Sequence, residues 1–211
     1  MTLAIIIAAC GAEEFNGTTY RLAEREIMVT QPVQASELNL TLSLKTDNIT
    51  LRDESGRKVE INSSYQFWRG DHIYRLRFGR NVSGDLVYTI AHTGQQFILP
   101  MRDSGAVRIV LPKGYTTGDR ILGIARPAPD EVQTEMGKEV LTWHNTSQIQ
   151  YIEVSYYQDY APKVMMAIFA ILALSGIVLL LEYYISIRKL RAISREAEEA
   201  SEDSRKGKRK I

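Results

Sequence analysis

The chain is poor in the residues that cross-link, bind metals or attack substrates: its 211 residues hold one cysteine, Cys10, and three histidines. A lone cysteine excludes an internal disulfide framework, so a fold of this size must rest on packing and hydrogen bonds. His72, His92 and His144 are far apart and lack the short spacing of metal ligands; His72 and His92, in strands with polar neighbours, read as surface or edge residues. No Gly-x-Ser-x-Gly elbow, phosphate loop or Gly-x-Gly-x-x-Gly fingerprint occurs. A surplus of one charge sign is missing too, the formal net charge being +1. These patterns lead us to expect no catalytic residue, no metal and no cofactor.

What the chain does have is one long uncharged run, VMMAIFAILALSGIVLLL at 164–181. Eighteen residues at about 1.5 Å each make a helix of roughly 27 Å, close to the ~30 Å hydrocarbon core of a bilayer. A transmembrane helix is therefore expected over 162–187, with the lipid bilayer as a partner. From Arg188 onward nine Lys/Arg stand against five Asp/Glu, which leaves a net −3 on 11–162. A mildly acidic soluble part argues against nucleic acid as a partner. Arg188, Lys189, Arg191 and Arg195 crowd one end of the run and only Lys163 flanks the other, which places 188–211 in the cytoplasm as a basic tail. Tyr156, Tyr157 and Tyr160 before the run, with Tyr183 and Tyr184 after it, fall where amphipathic rings settle at membrane interfaces. Ile187, Leu190, Ile193, Ala197 and Ala200 continue a thin apolar stripe on a helix. The chain ends in a basic cluster, 205–210, expected to be disordered and drawn to anionic headgroups.

At the other end, the apolar run Leu3 to Ala9 leads into Ile7-Ala8-Ala9-Cys10-Gly11, which resembles a lipobox with Cys10 as the lipidated residue. Residues 1–10 are thus expected to act as a signal or lipoprotein leader. The run is short and lacks a basic n-region, so we expect a basic stretch upstream of Met1 in the natural product; an in-frame stop directly before Met1 would contradict this.

Between the two ends, apolar and polar residues alternate. Glu37-Leu38-Asn39-Leu40-Thr41-Leu42-Ser43-Leu44 puts four leucines on one face, the period-2 signature of a half-buried strand. Similar runs follow at 48–52, 72–78, 86–92, 96–99, 106–111, 139–143 and 149–157. Turn signals separate them, among them Glu54-Ser55-Gly56, Arg69-Gly70-Asp71, Val82-Ser83-Gly84, Asp103-Ser104-Gly105 and Lys113-Gly114. The expected fold over 11–161 is an all-β antiparallel sandwich, immunoglobulin-like in general architecture, with a possible sub-boundary at the proline-rich 126–130. Trp143 ends a strand and is expected in the core, its N–H satisfied nearby. Asp103, Asp119, Asp130 and Glu131 read as solvated loop charges, and Arg69-Gly70-Asp71 as a hairpin turn rather than an adhesion tripeptide.

All six asparagines, Asn16, Asn39, Asn48, Asn62, Asn81 and Asn145, begin an Asn-x-Ser/Thr triplet without a central proline. With Ser and Thr at about 13% of the chain, six of six has odds on the order of one in a hundred thousand by chance. This segment is therefore expected to be extracytoplasmic and N-glycosylated, which leaves the sequon-free stretch from Asp85 to Trp143 as the expected face for a large partner.

Several stretches of the last hundred residues carry a resemblance: Val107-Arg108-Ile109-Val110-Leu111-Pro112-Lys113-Gly114-Tyr115, Ile121-Leu122-Gly123, Pro127 to Asp130, Val140-Leu141-Thr142-Trp143 and Val154-Ser155-Tyr156-Tyr157 before the helix. Together they resemble an uncharacterised family of archaeal single-pass membrane proteins from methanogens and halophiles. The resemblance implies a lipoprotein-like leader, a β-rich ectodomain and a basic tail, and no activity. The expectation is a non-enzymatic, membrane-anchored cell-surface module with an envelope-organising or accessory-subunit role and a membrane or envelope protein as partner. The alternatives are a cell-surface enzyme such as a hydrolase, marked by a deep pocket with converging titratable groups, or a ligand-binding lipoprotein.

Overall fold

A computed structural model describes residues 15–46, 48–101, 104–118 and 122–208, with helix side chains described as far as residue 191. The chain divides after Asp159 into two compact units. Among the described residues the first unit contains, in order, β1 (Thr18–Leu22), β2 (Glu26–Leu42), β3 (Thr50–Asp53), β4 (Lys58–Val59), β5 (Asn62–Trp68), β6 (Asp71–Ala91) and β7 (Gln96–Pro100). It continues with β8 (Val107–Val110), β9 (Tyr115–Thr116), β10 (Ile124–Arg126), β11 (Glu131–Glu135), β12 (Lys138–Trp143), β13 (Tyr151–Ser155) and β14 (Tyr157–Gln158). A large sheet runs β11-β12-β8-β1-β2-β6-β3-β4, with β5 also paired to β6; a smaller sheet runs β10-β13-β7, and β14 pairs with β9.

The frame of the large sheet is the long antiparallel ribbon of β2 and β6. Alternation explains its burial and a slip explains its break. In the first half of β2 the odd residues Ile27, Val29 and Val33 are buried, whereas in the second half the inward row is Leu38, Leu40 and Leu42. Parity changes because Ala35 pairs with Val82 but Glu37 pairs with Arg77, so 78–81 of β6 bulge opposite Ser36. Four residues opposite one leave three unmatched, an odd number, so the inward row of β2 changes from odd to even while that of β6 stays even. Pro32 sits inside β2 without breaking the ribbon. Ala23 N–H bonds the Glu26 carbonyl, so even residues in this half of β2 address β1, and β1 reaches only Thr30. The N–H that proline lacks would face an open edge, where a ladder loses nothing.

Val82-Ser83-Gly84, expected as a turn, lies within β6, which runs unbroken through it. Gly84 pairs with Asp53, and a Cβ there would collide with the Arg52 carbonyl oxygen. Glycine is needed here for close backbone approach, not for reversing the chain. The other correction concerns direction. β1 and β8 are parallel neighbours, so the domain is not purely antiparallel. Parallel strands need a crossover rather than a hairpin, and the whole of β2 to β7 supplies it.

One hydrophobic cluster takes residues from both larger sheets: Ile27, Leu86, Ile109 and Trp143 from the large one, Phe97 and Ile152 from the small one. Each fully buried side chain of this kind is worth about 1.5–3 kcal/mol relative to exposure. Trp143 is 1% exposed and its Nε1–H donates to the Pro127 carbonyl at 3.2 Å, as expected from the sequence. The 127–130 segment carries the chain from β10 of the small sheet to β11 at the edge of the large one.

Among the described residues the second unit, which begins at Tyr160, contains one helix, α1 (Ala161–Lys208). Pro162 falls in its first turn, where its missing N–H has no helical partner to lose. Over Ala161–Arg191 the helix is long and apolar enough to cross a membrane, and none of its apolar window is buried. Ser175, the one hydroxyl in the 164–181 run, donates to the Leu172 carbonyl at 2.8 Å and so carries no unsatisfied donor into that stretch. The helix extends to Lys208, so residues 205–208 of the basic cluster are helical rather than disordered. Lysine and arginine are good helix formers and suit the negative end of the helix dipole.

Candidate interaction surface

The six sequon asparagines are all exposed on the β unit. Asn39 lies on the outward face of β2, Asn62 on β5 and Asn81 in the bulge of β6, while Asn16, Asn48 and Asn145 lie in connections. Cys10, Asp103 and Asp119 fall outside the described residues. Tyr160, just before the helix, is exposed, as are Tyr183, Tyr184, Arg188, Lys189 and Arg191 on it; the Arg188 guanidinium lies 5.1 Å from the Tyr184 ring centroid. Arg195 is on the same helix, beyond the described side chains.

Tyr156 and Tyr157 are corrections to the interfacial belt. They are 3% and 7% exposed, packed inside the β unit with no free face for headgroups. Tyr157 packs on Gly123, where a Cβ would meet its ring at 2.8 Å. The Tyr156 hydroxyl donates to the Gly94 carbonyl at 3.2 Å, which leaves its oxygen to accept from His92 Nε2 at 3.2 Å. Burial lowers the His92 pKa, and the backbone of Gly94 opposes this in part. Burial also raises the Tyr156 pKa, with the Tyr115 hydroxyl adding to it. His92 is therefore a half-buried neutral ring tied to the start of the small sheet, not an edge residue.

Two surface features are built by the ribbon. The first is an open apolar cleft of about 540 Å³ between the second half of β2 and β7, with Leu38, Leu40, Leu42, Phe97, Ile98 and Leu99 on its walls and His92 at its margin. Among the described residues its lining contains no carboxylate and no lysine or arginine. The second is the β5–β6 hairpin. Arg69 and Gly70 form its two-residue turn with φ of 51° and 92°, so Arg69-Gly70-Asp71 is a turn, as the sequence implies. Behind it, Tyr65, Phe67 and Trp68 are 49%, 57% and 58% exposed. The Tyr65 hydroxyl is 2.8 Å from His72 Nδ1, Phe67 lies 4.9 Å from the His72 ring, and Arg69 lies over Trp68 at 5.5 Å. Sequence reasoning passed over these aromatics because Asn62-Ser63-Ser64-Tyr65-Gln66-Phe67-Trp68 lacks apolar alternation. Its only signal is seven residues without a charge.

Several other polar side chains tie connections to the sheets. Glu139 accepts from both Thr116 and Thr117 hydroxyls at 2.6 Å, joining the β9 loop to β12. Asp130 accepts from His144 N–H at 2.7 Å, and the His144 ring is 4.0 Å from Glu131 at an exposed site. Asp53 accepts from the Ser55 hydroxyl and from the N–H groups of Arg57 and Ser55, closing the turn before β4; the Ser55 hydroxyl is the main cause of its lowered pKa. Among the described residues no three His, Cys, Asp or Glu side chains stand together as a metal site.

Fold and surface together define a β-rich domain carrying one C-terminal apolar helix of membrane-spanning length. The chain belongs to a family of unknown function, DUF5803, whose model matches residues 7–203. A comparison with curated proteins found no match.

Proposed function

We propose that this chain is a non-enzymatic cell-surface module, anchored in the membrane by α1, with its β unit outside and its basic tail in the cytoplasm. In this reading the β unit is an N-glycosylated sandwich, Cys10 is a lipid attachment point, and the role is envelope organisation or service as an accessory subunit. In this reading the host cell is archaeal, which the resemblance of the last hundred residues supports. The observation that carries the reading is that every asparagine in the chain heads a sequon and every one is exposed on the β unit. Asn39 supports it further: an outward strand position in a sequon, two residues before Thr41 on the same face. Glycopeptide mass spectrometry of native material tests it. Sugar on several of the six is the expected result, and six unmodified asparagines would contradict it.

The cleft favours a second reading, a ligand-binding lipoprotein that takes an apolar molecule along the leucine face of β2. It favours hydrolysis less, because its described lining offers one histidine and no acid.

A further inference from the structure

An edge strand offers an unpaired row of N–H and C=O groups that another chain can extend, and proteins blunt such edges with charge, proline or brevity. Among the described residues, most edges of the two larger sheets are blunted in these ways. β11 carries Glu131 and Glu135, β4 is two residues long and includes Lys58, β10 is three residues long and ends in Arg126, and β7 ends in Pro100. The part of β2 beyond β1 contains Pro32 and Glu37. β5 has no such protection: its seven residues hold no charge and no proline, and all are exposed.

The geometry of that edge is specific. Trp68 and Asp71 flank the two-residue turn and exchange the first ladder bonds, so even-numbered residues of β5 address β6. The backbone groups of Ser63, Tyr65 and Phe67 then point to the open side. Their side chains stand together on one face with His72 and Tyr74, while Asn62, Ser64, Gln66 and Trp68 take the other.

We propose that β5 is a homodimer strand, adding antiparallel to β5 of a second copy about a two-fold axis at Tyr65. In this register Tyr65 meets Tyr65 of the second copy and Ser63 meets Phe67 of the second copy. All are open-side residues, so each exchanges a pair of backbone hydrogen bonds. Tyr65 and Phe67 from both copies join in one aromatic row. No like charges meet along the strands, and at each end Glu60 comes one place from Arg69 of the second copy.

The uncharged, proline-free edge and the approach of Glu60 to Arg69 of the second copy at each end favour a second copy as the occupant. The size of the patch sets the strength of the pairing. With each ring burying about 150–250 Å² when covered, the exposed parts of Tyr65, Phe67 and Trp68 leave roughly 300 Å² per copy, or about 600 Å² per pair. That is below the ~1,200–2,000 Å² of a stable soluble complex, so the dimer needs the raised effective concentration of chains sharing a membrane. In this last respect the inference rests on the membrane-anchored reading. It also predicts that sugar at Asn62, beside Trp68 of the second copy, weakens pairing.

The test is cross-linking of the full chain in lipid vesicles, in a Cys10→Ser background. One variant carries Gln66→Cys on β5 and another carries Thr134→Cys on the charged edge β11. Gln66 and its counterpart lie diagonally across the proposed pair, about 7–8 Å apart, within reach of a short bismaleimide. The expected result is a band at twice the chain mass from Gln66→Cys, only background from Thr134→Cys, and loss of the band when Phe67→Lys is added to Gln66→Cys. Equal bands from both cysteines, a band that survives Phe67→Lys, or no band from a Gln66→Cys protein with parental tryptophan emission and protease resistance would overturn the proposal. Vesicle cross-linking does not depend on which side of a cell the β unit faces or on sugar, so its failure is distinguishable from failure of the cell-surface reading.

Discussion

The Tyr74 hydroxyl holds the backbone of Thr46 in both directions: it donates to the Thr46 carbonyl at 2.8 Å and accepts from the Thr46 N–H at 2.9 Å. The Thr46 hydroxyl then donates to the Thr89 carbonyl at 2.6 Å. These three bonds pin the β2–β3 connection onto the ribbon. Tyr74→Phe keeps the ring but leaves two buried backbone groups without a partner, each costing about 1–3 kcal/mol. Urea unfolding is expected to show a loss of about 2–4 kcal/mol; an unchanged midpoint would mean that the connection is held by its other contacts.

Gly84 is predicted to be intolerant for a packing reason. In Gly84→Ala the new methyl meets the Arg52 carbonyl oxygen, which is backbone and has little freedom to yield. Overpacking of this kind costs about 1–3 kcal/mol or more. Amide exchange is expected to rise locally in β3. Unaltered exchange at Leu51 and Arg52 would count against the close approach.

Trp143→Phe removes both the indole volume and the bond to Pro127, and should lower stability by about 1–3 kcal/mol. Val132→Ala, at an exposed position on neighbouring β11, should stay within about 0.5 kcal/mol. Similar effects from the two would contradict the assigned core.

His92 sets an acid limit on stability. Its folded-state pKa lies below the unfolded value because burial disfavours the cation, so the unfolded chain binds the proton more readily. The contribution is complete above the unfolded value near 6.5 and is lost as pH falls from there through the folded value. Between about pH 7.5 and pH 5 the parent protein should lose more thermal stability than His92→Gln. Parallel curves would show that the ring titrates freely.

Much of the strand content was legible because alternation is local: the four-leucine run, the hairpin at Arg69 and Gly70, and the strand ending in Trp143 need only neighbouring residues. The helix was legible for the same reason. What escaped depends on distant partners. Val82-Ser83-Gly84 looks like a turn until Arg52 is placed against it, and 26–36 hides as a strand because the bulge opposite Ser36 shifts its inward parity. The parallel β1–β8 pair joins residues separated by most of the domain, and no local pattern encodes it. Tyr156 and Tyr157 misled because closeness to an apolar run in sequence says nothing about whether a ring already has a core to enter. The exposed aromatics of β5 were missed for the opposite reason: a strand exposed on both faces has no alternation to read.

The central claim is that the β unit lies outside the cell and the basic tail inside. It is tested most directly on intact cells carrying Ala128→Cys in the β unit or Ser204→Cys in the tail, each in a Cys10→Ser background, with a membrane-impermeant maleimide. Labelling of Ala128→Cys on intact cells, with Ser204→Cys labelled only after lysis, is the predicted result. The reverse pattern would contradict the account.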